Sequence, residues 1–168
     1  MKHFIFRLFS GLLFFASIVS CSDKWEIVKD NRPDIPVTFD GATSVGFNPY
    51  YTVSYAAGTF SITLSIPSDA KHKIKEVTNI VAGTTSINVT SLTAATSIQY
   101  LVAPASVDGT TYTLSTSITE FNTKVPASAK INSAPAAGTF AERAFMFKLT
   151  MDDDSTIIPV QCRIRVTP

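Results

Sequence analysis

Phe145–Val166 reads FMFKLTMDDDSTIIPVQCRIRV, and its alternation decides the fold. Phe145, Phe147, Leu149 and Met151 recur at every second position, with Met146, Lys148 and Thr150 between them. Successive side chains of an extended strand point to opposite faces, so this period sets one apolar row against a core. Asp152, Asp153, Asp154 and Ser155 interrupt it as a polar turn. The chain then returns through Ile158, Val160, Cys162, Ile164 and Val166. Pro159 has no N–H to give a ladder, which predicts an edge position or a bulge near the start of the returning strand. The same period points the Cys162 thiol into the core, where a free cysteine behaves as a small hydrophobe.

Shorter alternations precede this hairpin. Phe60, Ile62, Leu64 and Ile66 alternate with Ser61, Thr63 and Ser65 and stop at Pro67. Tyr51, Val53 and Tyr55 lie before them, separated by a turn at Ala57-Gly58. Lys73–Val81, Ser86–Val89 and Ile98–Val102 read as further strands, and Tyr112, Leu114, Thr116 and Ile118 give another alternation. No helical period of apolar residues stands out. Val125–Gly138, rich in Pro, Ala and Ser, reads as a long loop. Many short β-rich runs divided by turn residues predict an all-β, antiparallel β-sandwich, immunoglobulin-like in the broad sense. The cysteine pair and core tryptophan of antibody domains are absent. The sandwich is expected as a single domain over residues 37–168, with Val37-Thr38-Phe39 as its first strand.

The other end of the chain is different in kind. Lys2, His3 and Arg7 precede an apolar run from Leu8 to Val19, broken only by Ser10, Gly11 and Ser17. A charged stretch followed by a short apolar one is the pattern of an export signal. A spanning helix needs about 20 apolar residues, and Ser22, Asp23 and Lys24 end this run too soon. Residues 1–20 therefore read as a signal peptide. Ile18-Val19-Ser20-Cys21 resembles a bacterial lipobox: an aliphatic residue, a tolerant position, a small residue and a cysteine. That resemblance implies cleavage before Cys21, a diacylglyceryl group on its sulfur and acylation of its new amino group. Each buried CH₂ contributes about 0.8 kcal/mol, so two or three chains hold far better than one. Residues 21–36, charged and carrying Pro33 and Pro36, read as the lipidated N-terminus and tether. Trp25 suits a membrane interface.

Ser22-Asp23 resembles the short acidic export tag of Bacteroidota-type surface lipoproteins, which implies outward display on the outer membrane; Lys24 and Trp25 interrupt the tag, and a periplasm-facing lipoprotein is the alternative. Ile18–Asp23 together with the terminal hairpin is similar to small lipid-anchored β-sandwich lipoproteins of Bacteroidota-type bacteria. The resemblance implies a cell-envelope location and a membrane contact through the lipid anchor, and it carries no known active site.

Charge narrows the partners. The chain has 14 basic and 13 acidic residues. Removing residues 1–20 takes away Lys2 and Arg7 and leaves 14 − 2 = 12 basic against 13 acidic, a net of −1. Without a strong positive field, nucleic acid is not an expected partner. Cys162 would be the one thiol left beside a lipidated Cys21, so no internal disulfide is expected.

Catalytic constellations are sparse. His72 is the only histidine after the signal, so any Ser–His–Asp arrangement must use it, and a multi-histidine zinc site is excluded. Its flanking lysines favour a solvated strand end. No G-x-S-x-G or glycine-rich phosphate loop occurs. Glu76, Glu120 and Glu142 supply carboxylates of the kind glycosidases pair, but the sequence does not show which of them are neighbours. Asp152-Asp153-Asp154 lacks the alternating ligands of a calcium loop and reads as a solvated acidic turn. No metal and no cofactor are expected, and the chain is expected not to be an enzyme. Asp154-Ser155-Thr156 resembles the short O-glycosylation motif of exported Bacteroidota-type proteins and makes Ser155 the candidate acceptor. Lys71, Lys73 and Lys75, at period two, are expected on one strand face, as a patch for an anionic glycan or an acidic protein, or as a solvated edge. Tyr50, beside the inward Tyr51, offers one exposed ring for a sugar. The expected role is a non-catalytic binding or assembly module in the envelope. The alternatives are a structural envelope protein without a small ligand and a glycan-binding lipoprotein.

Overall fold

The computed structural model describes residues 33–94, 99–101 and 103–168. The readings at residues 1–32, Cys21 and Trp25 among them, lie outside the described residues, as do Ile98 and Val102. Pro33–Pro168 forms one compact unit.

The strands are β1 (Thr38–Phe39), β2 (Thr43–Val45), β3 (Asn48–Ser54), β4 (Thr59–Ser65), β5 (Ile74–Gly83), β6 (Ala105–Gly109), β7 (Thr111–Ser117), β8 (Ala141–Met151), β9 (Thr156–Ile157) and β10 (Cys162–Thr167). A three-stranded sheet runs β1-β4-β7, and a seven-stranded sheet runs β2-β3-β10-β8-β5-β6, with β9 beside β8. The alternating apolar rows of the two sheets meet. Ile62 and Leu64 from β4 are fully buried with Phe145, Phe147, Leu149 and Met151 from β8 and Cys162, Ile164 and Val166 from β10. Aromatic rings cross the interface: Phe39 and Phe147 lie 5.9 Å apart, as do Phe60 and Phe145. Phe145 also meets Tyr100 at 5.3 Å and Phe121 at 5.6 Å. The chain is an all-β sandwich, immunoglobulin-like in the broad sense.

Several local expectations change. All ladders but one are antiparallel; β10 runs parallel to β3, with Arg163 opposite Tyr50 and Val166 opposite Val53. Pro159 falls in the break between β9 and β10, and this break shifts the alternation: Ile157 is buried, Val160 is 56% exposed, and the core row resumes at Cys162. The alternation in β7 ends where Ile118–Lys124 turns into an α-helix. Ser117 caps it, its hydroxyl accepting the Glu120 N–H at 3.0 Å. Ile118, Phe121 and Val125 bury the helix's inner side. Ser86–Val89 is not a strand either. Asn88 accepts the Thr90 N–H at 3.0 Å and starts a 3₁₀ turn over Val89–Leu92. A short polar side chain that satisfies a backbone donor locally competes with a ladder, and here it wins.

That turn covers part of the large sheet's outer face. Val81 and Met146, opposite in parity to the core row, are buried against Leu92, Ile87 and Ile158. Asn79 and Gln161 tie this cover down, Asn79 Nδ2 donating to the Leu92 carbonyl at 2.7 Å and the Ile87 N–H donating to Gln161 Oε1 at 3.0 Å. The rest of the outer face carries a different set of side chains.

Candidate functional site

On β3, Val53 faces the core and Tyr51 packs against it. The Tyr51 hydroxyl lies 2.7 Å from the Asp40 carbonyl and 3.0 Å from that of Thr63, joining the two sheets. Burial raises its pKa. Tyr50 and Thr52 consequently face outward, as the alternation requires. The parallel register sets Arg163 beside Tyr50 and Arg165 beside Thr52, while the antiparallel register sets Arg165 opposite Glu142. The Arg165 guanidinium carbon sits 3.7 Å from the centre of the Tyr50 ring and 4.7 Å from that of Phe140. Such contacts orient a guanidinium and stabilise it by about 0.5–1 kcal/mol at exposed sites.

Glu142 links the two arginines. Arg165 Nε donates to its Oε1 at 2.8 Å and Arg163 Nη1 to its Oε2 at 3.2 Å. Among the described residues, the terminal Nη1 and Nη2 groups of Arg165 have no acceptor, and Arg163 Nε is buried without one. Two guanidinium groups face one carboxylate. Phe140 is 52% exposed beside them, and Phe47 is 96% exposed on the β2–β3 turn. Tyr50 is therefore not a lone ring. The parallel pairing of strands far apart in sequence brings Arg163, Arg165, Glu142 and Phe140 to it.

The second cluster gathers around the β8–β9 turn. Lys71 and Lys73 lie before β5, and Lys75 sits where its register shifts, so the three lysines do not form one row on a strand. Lys75 Nζ pairs with Asp154 Oδ1 at 2.7 Å, and that hydrogen bond raises the lysine's pKa. His72 is not a solvated strand end: Nδ1 lies 2.8 Å from Asp152 Oδ1, and Nε2 lies 3.3 Å from Asp153 Oδ2. The Lys73 N–H donates to Asp152 Oδ2 at 3.1 Å and, with His72, holds that carboxyl below its usual 3.8. Ser155 is exposed, but its hydroxyl donates to Asp153 Oδ1 at 2.6 Å, which lowers the Asp153 pKa. His72, Asp152 and Asp153 are the one group among the described residues whose potential ligand atoms converge, within 4.8 Å of one another. Those same atoms join the start of β5 to the turn.

The remaining candidates are dispersed or engaged. Glu76, Glu120 and Glu142 belong to β5, the helix and β8. Glu120 pairs with Lys124 at 2.6 Å and accepts from Thr116 at 3.1 Å, and both contacts, led by Lys124, lower its pKa. Burial pushes the Cys162 thiol up to about 12, so it is a core group rather than a nucleophile.

No protein-family model and no curated protein matches the chain. The chain is similar to a solved structure described as Clostridium thermocellum CbhA fibronectin(III)-like modules, at 13% identity, over 78% of this chain and 96% of that one, with a TM-score of 0.34. A likeness at that level carries no argument about activity.

Proposed function

We propose that the chain is a cell-envelope lipoprotein, held at the outer membrane by lipids on Cys21 and displayed outward, that serves as a non-catalytic binding or assembly module. The signal pattern and the lipobox-like Ile18–Cys21 support the anchor. The observation that carries the binding role is the outward cluster of Tyr50, Phe140, Arg163 and Arg165, where aromatic faces and guanidinium donors stand together on one sheet face. Recognition surfaces are enriched in such residues. The alternative, a structural envelope protein without a ligand, draws support from the small sheet's outer face. There the hydroxyls of Ser61 and Ser115, of Thr63 and Thr113, and of Thr38 and Ser65 pair with one another.

Metabolic labelling of intact cells with a clickable palmitate, followed by external protease, tests the placement. Label on the wild type that disappears in Cys21→Ala, together with cleavage from outside, is expected. Label without protease access would move the module to the periplasmic side. No label on the wild type would remove the anchor.

A further inference from the structure

We infer that the outward face bearing Tyr50, Phe140, Arg163 and Arg165 is a receptor for an acidic carbohydrate, a glycan whose sugar rings carry carboxylates. This rests on the binding-module reading above and names its ligand class.

Arg165 is arranged as a receptor group is. Its Nε is fixed by Glu142 at 2.8 Å, and its guanidinium carbon is held over the Tyr50 ring, 3.7 Å from the ring centre. What remains is its Nη1/Nη2 edge, which has no acceptor among the described residues. A guanidinium edge offers two parallel N–H groups that match a carboxylate in a bidentate pair, and an orientation fixed in advance lowers the entropy cost of making it. Arg163, its Nη1 3.2 Å from Glu142 Oε2, sets a second guanidinium charge beside Arg165. Glu142 neutralises only one of the two guanidinium groups, and the excess positive charge is complementary to an anion.

The shape of the surface selects among anions. Tyr50 and Arg165 project from β3 and β10, and at these two residues the backbone is paired on each side: Tyr50 with Thr43 and Arg163, Arg165 with Thr52 and Glu142. At these positions the backbone is not free to add a strand, which is how extended peptides commonly dock on sheets. Recognition by these residues runs through their side chains. A uronic-acid ring presents an apolar C–H face and a planar carboxylate close together. Phe140, half exposed with its ring centre 4.7 Å from the Arg165 guanidinium carbon, provides an apolar ring next to that charge.

The test uses the full chain in detergent and calorimetric titration with tetragalacturonate, its methyl ester and a polyglutamate peptide. Tetragalacturonate is expected to bind and the ester to fail. Arg165→Lys, which keeps the charge but loses the bidentate edge, is expected to weaken binding about tenfold or more. Phe140→Ala, at an exposed position that leaves the fold intact, is expected to weaken it as well. Equal binding of acid and ester, or binding untouched by both variants, would overturn the proposal. Binding of polyglutamate alone would also overturn it while leaving the binding-module reading standing. Silence from all three probes would remove both.

Discussion

Asp152 joins two places 80 residues apart in sequence. Its carboxylate accepts the Lys73 N–H and meets His72, and its own N–H donates to the Lys73 carbonyl at 3.0 Å. The Lys73 N–H, with His72 next, depresses its pKa from 3.8. A group whose pKa is lower in the folded state stabilises that state above its unfolded value, and the contribution disappears as pH falls through the folded value. Asp152→Asn keeps the shape and removes the charge. It is expected to lower the urea midpoint at neutral pH, with the gap to wild type closing as pH falls below 3.8. A gap that stays constant through the acid range would mean that the carboxylate's charge contributes nothing. No local pattern announces this cluster: the triple aspartate and His72 are visible in the sequence, but only the β5–β8 register brings them together.

At the scale of elements, the helix Ile118–Lys124 is the clearest case of two periods sharing a residue. Tyr112, Leu114, Thr116 and Ile118 complete a strand alternation, yet Ile118, Phe121 and Val125 also follow a helical spacing. Ser117-Ile118-Thr119-Glu120 holds the S-x-x-E signature of a helix start, and the structure uses its first half, since Ser117 caps while the Glu120 side chain turns to Lys124 and Thr116. The signal was legible but was absorbed by the strand that precedes it. Ser117→Ala is expected to destabilise the protein by about 1 kcal/mol, within the 0.5–2 usual for a lost N-cap. Ser117→Asp should retain most of the stability, because its carboxylate also accepts the Glu120 N–H. Urea midpoints of the three proteins decide this, and equal values for Ala and wild type would show that the cap contributes nothing.

For the whole molecule, the inner faces of both sheets were legible because the core-facing residues of β4, β7, β8 and β10 recur at every second position, although β8 also buries Ala144 and Met146 on its other face. The parallel pairing of β3 with β10 was not, since no turn connects them and register between distant strands has no local signal. The receptor-like face shares that obscurity: Tyr50 is visible in sequence as an outward ring, but its arginines arrive only through this pairing. Phe145 tests whether the assembled layers unfold as one. Fully buried, it touches Phe60 on the small sheet, Phe121 on the helix and Tyr100 on the chain between β5 and β6. Truncation to Ala leaves a cavity bordered by all three and is expected to cost about 3–5 kcal/mol, a large share of the 5–15 kcal/mol of an ordinary domain. Far-ultraviolet circular dichroism and tyrosine fluorescence should fall together at a lowered denaturant midpoint, as two-state unfolding requires. Separated transitions would show that the two sheets hold independently. Phe140→Ala removes the same side chain from an exposed position, together with its contact to Arg165, and should lower the stability by no more than about 1 kcal/mol. The contrast between the two phenylalanines therefore measures what burial across the sheet interface contributes.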